Sequence, residues 1–177
     1  MGGDVDSWPV ALTVATSDSG NGAGIGADLH TFKALGTHGV SVHCCLTAQN
    51  PDGVSGIVEL EPEFIRDQFQ QLTSFYEIAA AKTGMLFSTR VIETVADFME
   101  KRDRPFPLII DPVMVASSGA VLLKREAITT LRERLLPRAA LITPNLDEAG
   151  VLLDRRPKSL AEMEEAVHAL VKMTGTA

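Results

Sequence analysis

Residues 9–28 read PVALTVATSDSGNGAGIGAD, and the order of residue types in that stretch sets the fold. Pro9 to Thr16 is a continuous apolar and β-branched run, the pattern of a buried strand. Gly20, Gly22, Gly24 and Gly26 then alternate with small residues. Glycine lacks a Cβ and accepts positive φ, so such a loop lets the backbone approach a ligand. Ala23 to Leu35 follows as a helix with Leu29, Phe32 and Leu35 on one face and Gly36 as its C-cap. Strand, glycine loop and helix in this order build a ligand pocket at the carboxyl edge of a parallel sheet.

The same alternation continues along the chain. Val40 to Thr47 predicts a buried strand, Ser55 to Leu60 a short edge strand, and Pro62 to Phe75 a helix with proline in its first turn. Ile78 to Lys82 predicts a strand, and Thr89 to Met99 a helix capped by Ser88. Leu108 to Ile110 is a strand stopped by Asp111 and Pro112, Lys124 to Leu135 a helix, and Ala139 to Ile142 another strand. Pro144 and Asn145 open a helix through Leu153, and Leu160 to Met173 forms the last. These elements predict one doubly wound, mostly parallel α/β sheet with helices on both faces.

Composition bounds the function. A length of 177 residues, 45% of them hydrophobic, supports one real core. A net charge of -7 argues against a nucleic-acid footprint, which needs clustered Lys and Arg. The opening MGGDVDSW has no basic and apolar signal pattern, and no apolar run nears the ~20 residues that cross a bilayer, so the cytoplasm is expected. Cys44 and Cys45 are adjacent in the apolar run VSVHCCL, where cysteine acts as a small hydrophobe; they form no metal or redox motif.

The polar residues after each strand carry the chemistry: Ser17 and Asp18; Ala48, Gln49 and Asn50; Thr83, Gly84 and Met85; Asp111; Thr143 and Asn145. The turns at the other edge look like plain connections. A phosphate-binding P-loop ends in Gly-Lys-Ser/Thr, and here no lysine comes before Lys33. Gly22, Gly24 and Ala27 meet a dinucleotide-binding spacing, but that site needs an acid ~20 residues on. The tip of the second strand, Leu46 to Ala48, has none.

The run SDSGNGAGIGADLHTFKALG, followed in order by LTAQN, KTGML, IIDPVM, SSG and LITPNLDEA, resembles the hydroxymethylpyrimidine and phosphomethylpyrimidine kinases of thiamine biosynthesis, within the ribokinase superfamily. The resemblance extends from about Pro9 to the last helix. It implies ATP-dependent phosphorylation of 4-amino-5-hydroxymethyl-2-methylpyrimidine, its monophosphate, or both, with magnesium, in a cytoplasmic homodimer. Gln49 would hydrogen-bond the pyrimidine, since an amide offers both donor and acceptor; read alone it is a turn glutamine. Asp28, in the first turn of the first helix, would sit beside the hydroxymethyl group; read alone it complements the helix dipole. Ala23 and Gly24 would line the substrate, and Met85 and Val113 would be apolar walls, although bare residues of those types read as core.

On the nucleotide side the resemblance implies roles for Asp111, Asn145 and Glu148, with Asp111 and Glu148 toward magnesium. Asn145 and Glu148 lie three apart on one helix face and could serve one hydrated cation. The same pair also reads as a helix capping box. Lys82, in the KTGM run, is left without a role. The resemblance further implies a later strand, a nucleotide-binding lysine, a glycine-threonine-glycine anion-hole loop and a Cys or Asp base. None of these occurs up to Ala177, so residues 1–177 are expected to be one ribokinase-like domain lacking that portion. The isolated chain is then expected to show no pyrimidine phosphorylation. The competing readings are a pyridoxal or pyridoxine kinase and a non-catalytic pyrimidine-binding module.

Overall fold

The computed structural model describes residues 8–101, 106–114, 123 and 125–175. Six strands form one sheet in the order β3-β2-β1-β4-β5-β6. They are β1 Val10–Thr16, β2 His38–Asn50, β3 Gly53–Glu59, β4 Ile78–Thr83, β5 Leu108–Ile110 and β6 Leu141–Ile142. Every pairing is parallel except that of β2 with β3. The helices are α1 Gly24–Ala34, α2 Pro62–Phe75, α3 Thr89–Glu100, α4 Arg125–Thr130, α5 Leu146–Leu153 and α6 Leu160–Thr174.

Leu12, Val14, Val40, Val42 and Cys44 face a core that includes Ile65 and Phe69 of α2 and Val91, Ile92 and Val95 of α3. Each such side chain contributes about 1.5–3 kcal/mol on burial. Phe69 stacks on Phe98, with ring centroids 4.0 Å apart, and joins α2 to α3. The other face takes α1: a Cβ on Gly39 would meet Leu29 at 2.8 Å and Phe32 at 3.0 Å, so glycine there lets the helix sit close to the sheet. Covered on both sides, the central strand β1 is buried along most of its length.

Local signals place most boundaries. Pro62 opens α2, and the Ser88 hydroxyl accepts the Val91 amide at the start of α3. Gly36, at φ +70, stands just past the Leu35 C-cap of α1. Three expectations change. The edge strand β3 starts at Gly53 and pairs antiparallel to an extended β2 that runs to Asn50. The strand expected over Ala139 to Ile142 pairs only at Leu141–Ile142. The helix expected through Leu135 ends as α4 at Thr130 and continues as a π turn, Leu131–Leu135, and a 3-10 turn, Leu136–Arg138. Pro137 has no N–H to extend the ladder. The SSG motif and most of the MGGDVDSW opening lie outside the described residues.

Candidate active site

The strand order reverses between β1 and β4, so the loops leaving those two strands diverge and open a crevice at their carboxyl ends. The glycine loop leaves β1 there. Its backbone amides do not point outward for an anion: the carboxylate of Asp18 accepts from Gly20 at 2.8 Å and from Gly22 and Ala23 at 3.0 Å each. Asp18 is buried, so the loop carries its own anion. Sequence reading named Asp18 only as a strand-end polar residue. Its signal was an aspartate followed by amide-bearing glycines two and four positions on.

The loop is also stitched to the tip of β2. The Ser19 hydroxyl donates to the Gln49 carbonyl at 2.7 Å and accepts the Gln49 amide at 2.8 Å. The Thr47 hydroxyl donates to the Ser17 carbonyl at 2.7 Å. These bonds hold Gln49 half-buried beside the loop. Gly24 opens α1 at φ +58, and a Cβ there would collide with the Thr16 carbonyl. Asn21, at φ +56, turns its side chain into the space left by Gly26; a Cβ on residue 26 would strike the Asn21 amide oxygen.

Asp28 requires a correction. Helix α1 starts at Gly24, so Asp28 lies in its second turn, and no acid occupies the first. It therefore does not complement the helix dipole. Its carboxylate meets Lys82 Nζ at 2.8 Å through Oδ1 and the Thr13 hydroxyl at 2.6 Å through Oδ2. Met85, half-buried after β4, accepts the Thr16 hydroxyl on its carbonyl at 2.9 Å, which ties this turn to β1.

Asp111 follows β5, and its amide donates to the Thr83 carbonyl at 3.2 Å. Burial pushes its carboxyl above the usual range; the Lys82 charge pulls it back and the Asp28 charge pushes it further up. Val113 is half-buried two residues on. Asn145 and Glu148 do form the capping box: Asn145 Oδ1 accepts the amides of Asp147 and Glu148 at 2.9 Å, and Glu148 Oε2 accepts the Asn145 amide at 2.9 Å. Glu148 is 3% exposed and its Oε1 also accepts the Met114 amide at 3.4 Å. Burial raises its pKa above the ordinary carboxylate value; those two amides oppose the rise, and the charges of Asp111 and Asp147 add to it.

The structure thus gathers Ala23, Gly24, Asp28 and Met85 around the ends of β1 and β4, with Gln49 at the adjoining tip of β2. Asp111, Asn145 and Glu148 lie at the ends of β5 and β6. No cluster of three or more His, Cys, Asp or Glu able to hold a metal exists among the described residues. Among them no helix is long and apolar enough to cross a membrane.

Fold and site together define a doubly wound α/β protein whose crevice lies where the strand order reverses, the position at which such sheets hold ligands. The family profile described as phosphomethylpyrimidine kinase matches residues 18–177. The chain belongs to that family. It is 45% identical over 163 residues to a hydroxymethylpyrimidine/phosphomethylpyrimidine kinase of Streptomyces coelicolor, covering 92% of this chain and 60% of that one. The chain therefore spans about 60% of the length of such a curated relative. The crystal structure of a phosphomethylpyrimidine kinase from Clostridium difficile 630 matches with a TM-score of 0.88 and 37% identity, over 93% of this chain and 71% of that one. A pyridoxal kinase from Staphylococcus aureus, solved with AMP-PCP and pyridoxal, matches at 0.80 and 30% identity, over 94% of this chain and 60% of that one. The fold is ribokinase-like.

Proposed function

We propose that this chain carries the acceptor pocket and part of the nucleotide side of a kinase that transfers the terminal phosphoryl group of ATP to 4-amino-5-hydroxymethyl-2-methylpyrimidine, its monophosphate, or both, in thiamine biosynthesis. The observation that carries this reading is the Asp28 carboxylate. It is fixed by Lys82 and Thr13 at the strand-order reversal of a chain whose family match covers residues 18–177. In this reading Asp28 lies beside the acceptor hydroxyl and Gln49 pairs with the ring edge. Ala23 and Gly24 present small surfaces to a flat heterocycle, and Met85 and Val113 are its apolar walls. A loop stitched in advance by Asp18, Ser19 and Thr47 supports such a pocket, because little order remains to be gained on binding.

Asp111, Asn145 and Glu148 belong to the nucleotide side. Magnesium keeps several waters and takes one or two carboxylates together with substrate phosphates. A half-buried Asp111 and a buried Glu148 that feels its charge fit that donor set, and they do not fit an all-protein cage. Asp111 and Glu148 would hold the hydrated ion, which supplies charge neutralisation to the phosphates. Asn145 positions Glu148 through the capping box. The assembly is a cytoplasmic homodimer in the same proposal; the exposed cross-strand pair Leu46 and Val58 on the sheet's antiparallel edge supports association.

The test is a coupled assay of ADP release by protein expressed from its complete reading frame, with calorimetry on the same sample. The expected result is ADP release that depends on the pyrimidine and magnesium and exceeds that with pyridoxal. Faster turnover of pyridoxal would establish the pyridoxal kinase instead. Pyrimidine binding without turnover would establish a binding module, and neither binding nor turnover would end the proposal.

A further inference from the structure

Lys82 enters the proposed function only as an ion-pair partner of Asp28. It sits near the end of β4 with Thr13 of β1 as its register partner on one side and Ile109 of β5 on the other. Its ammonium meets Asp28 Oδ1 at 2.8 Å, while the fully buried Thr13 donates to Oδ2 at 2.6 Å. The two oxygens of one carboxylate are thus gripped by groups from two neighbouring strands, which fixes both the position and the plane of the carboxylate.

Stability is a poor explanation for this pair. The Lys82 and Asp28 side chains are only 25% and 15% exposed. Removing two ions from water at that depth offsets most of their attraction. What the contact supplies is orientation and charge. The Lys82 charge also reaches Asp111, at the end of the next strand, where Asp28 acts with the opposite sign. Lys82 is the register partner of Ile109, two residues before Asp111, so one cation lies on the strand beside the carboxylate read as nucleotide-side and pairs with the one read as acceptor-side. An anionic donor entering between Asp28 and Asp111 would otherwise meet uncompensated negative charge.

We propose that Lys82 is a positioning residue shared by both halves of the cleft: it holds the Asp28 carboxylate against Thr13 and offsets the charge of Asp28 and Asp111 where acceptor and donor meet. This rests on the reading of Asp28 as the carboxylate beside the acceptor hydroxyl. A lysine is suited to the task because its compact ammonium has three donors, of which Asp28 engages one.

The experiment is steady-state kinetics on the complete reading frame with Lys82→Met, Lys82→Arg, Asp28→Asn and the Lys82→Met/Asp28→Asn double variant, each checked by thermal melting. Lys82→Met is expected to lower kcat by about 100-fold, the scale of removing one preorganised charged group, with KM for the pyrimidine changed by less than about threefold. Lys82→Arg is expected to recover at least about tenfold of that loss, and the double variant to fall no further than Asp28→Asn alone. Retention of kcat in Lys82→Met while Asp28→Asn loses it would overturn the role of Lys82 and leave the reading of Asp28 standing. Losses that multiply in the double variant would show that Lys82 acts elsewhere, and overturn it too. Full activity in Asp28→Asn would instead sink the reading of Asp28 on which the role rests. Should Lys82→Met fail to fold, Thr13→Val, which removes the second grip at constant shape, is expected to lower kcat by about tenfold; an unchanged kcat there would count against the proposal.

Discussion

Asp18 and Asp28 belong to one strand-loop-helix unit, and both carboxylates are largely withdrawn from solvent, yet they are satisfied in opposite ways. Asp18 accepts three backbone amides of its own loop, all within five residues. Asp28 accepts from two side chains on different strands, one 15 residues and the other 54 residues away in sequence. A carboxylate saturated by local amides shapes the backbone. A carboxylate held by distant side chains keeps lone pairs for a ligand, since it can accept about four hydrogen bonds and uses two. In the proposed function the first shapes the wall of the acceptor pocket and the second faces into it.

Substituting each carboxylate in turn puts this contrast at risk. Asp28→Asn keeps the shape and is expected to lower kcat by about a thousandfold, with a smaller fall in melting temperature because the Lys82 ammonium loses its ion-pair partner. Enzyme assay and calorimetric melting on one preparation check both halves of that expectation. Asp18→Ala is expected to do the reverse in kind. It strips three amides of their acceptor and should cost about 2 to 3 kcal/mol in urea unfolding, with pyrimidine affinity falling as the loop loosens. An Asp18→Ala protein of wild-type stability would show that the loop is held by its ties to β2.

Two smaller effects extend the contrast to the other half of the sheet. Glu148 combines both modes, since it caps its own helix through the Asn145 amide and also reaches the Met114 amide. Asn145→Ala is expected to cost about 1 kcal/mol by urea unfolding, the usual worth of an N-cap. Asp111 gives the smallest effect. Its carboxyl titrates above the ordinary range because of burial, so the folded state holds its proton more tightly than the unfolded chain does. The favourable contribution of that protonation is full below the unfolded pKa and is lost as pH rises through the folded one. Asp111→Asn is therefore expected to raise the melting temperature slightly at pH 7, with the gain shrinking as the pH falls to about 4. A gain that grows on acidification would reverse the sign of the shift.

The sequence was most readable where signals are local. Pro62 and the apolar spacing of α2 located that helix at both ends, and Ser88 marked the start of α3, because caps and periodicity act within a few residues. The extension of β2 to Asn50 was not readable, since it depends on pairing with β3. The π turn at Leu131–Leu135 was hidden for a similar reason: the apolar spacing of a helix continues through it. In the site, Asn145 and Glu148 were readable as a pair because a capping box spans four residues. The grip of Lys82 on Asp28 was not, because sheet order alone brings β4 beside β1.

The fit of Asn21 against Gly26 has a consequence for how this loop can change over time. Any side chain at position 26 strikes the Asn21 amide, so Gly26 cannot be replaced first without displacing it. Asn21→Gly, by contrast, is compatible with the φ of +56 at that position and vacates the space. The two positions are therefore coupled: a side chain at 26 must turn the exposed Asn21 side chain aside, a cost that Asn21→Gly removes. A library randomised at both sites would recover larger residues at 26 chiefly in chains that also carry Asn21→Gly.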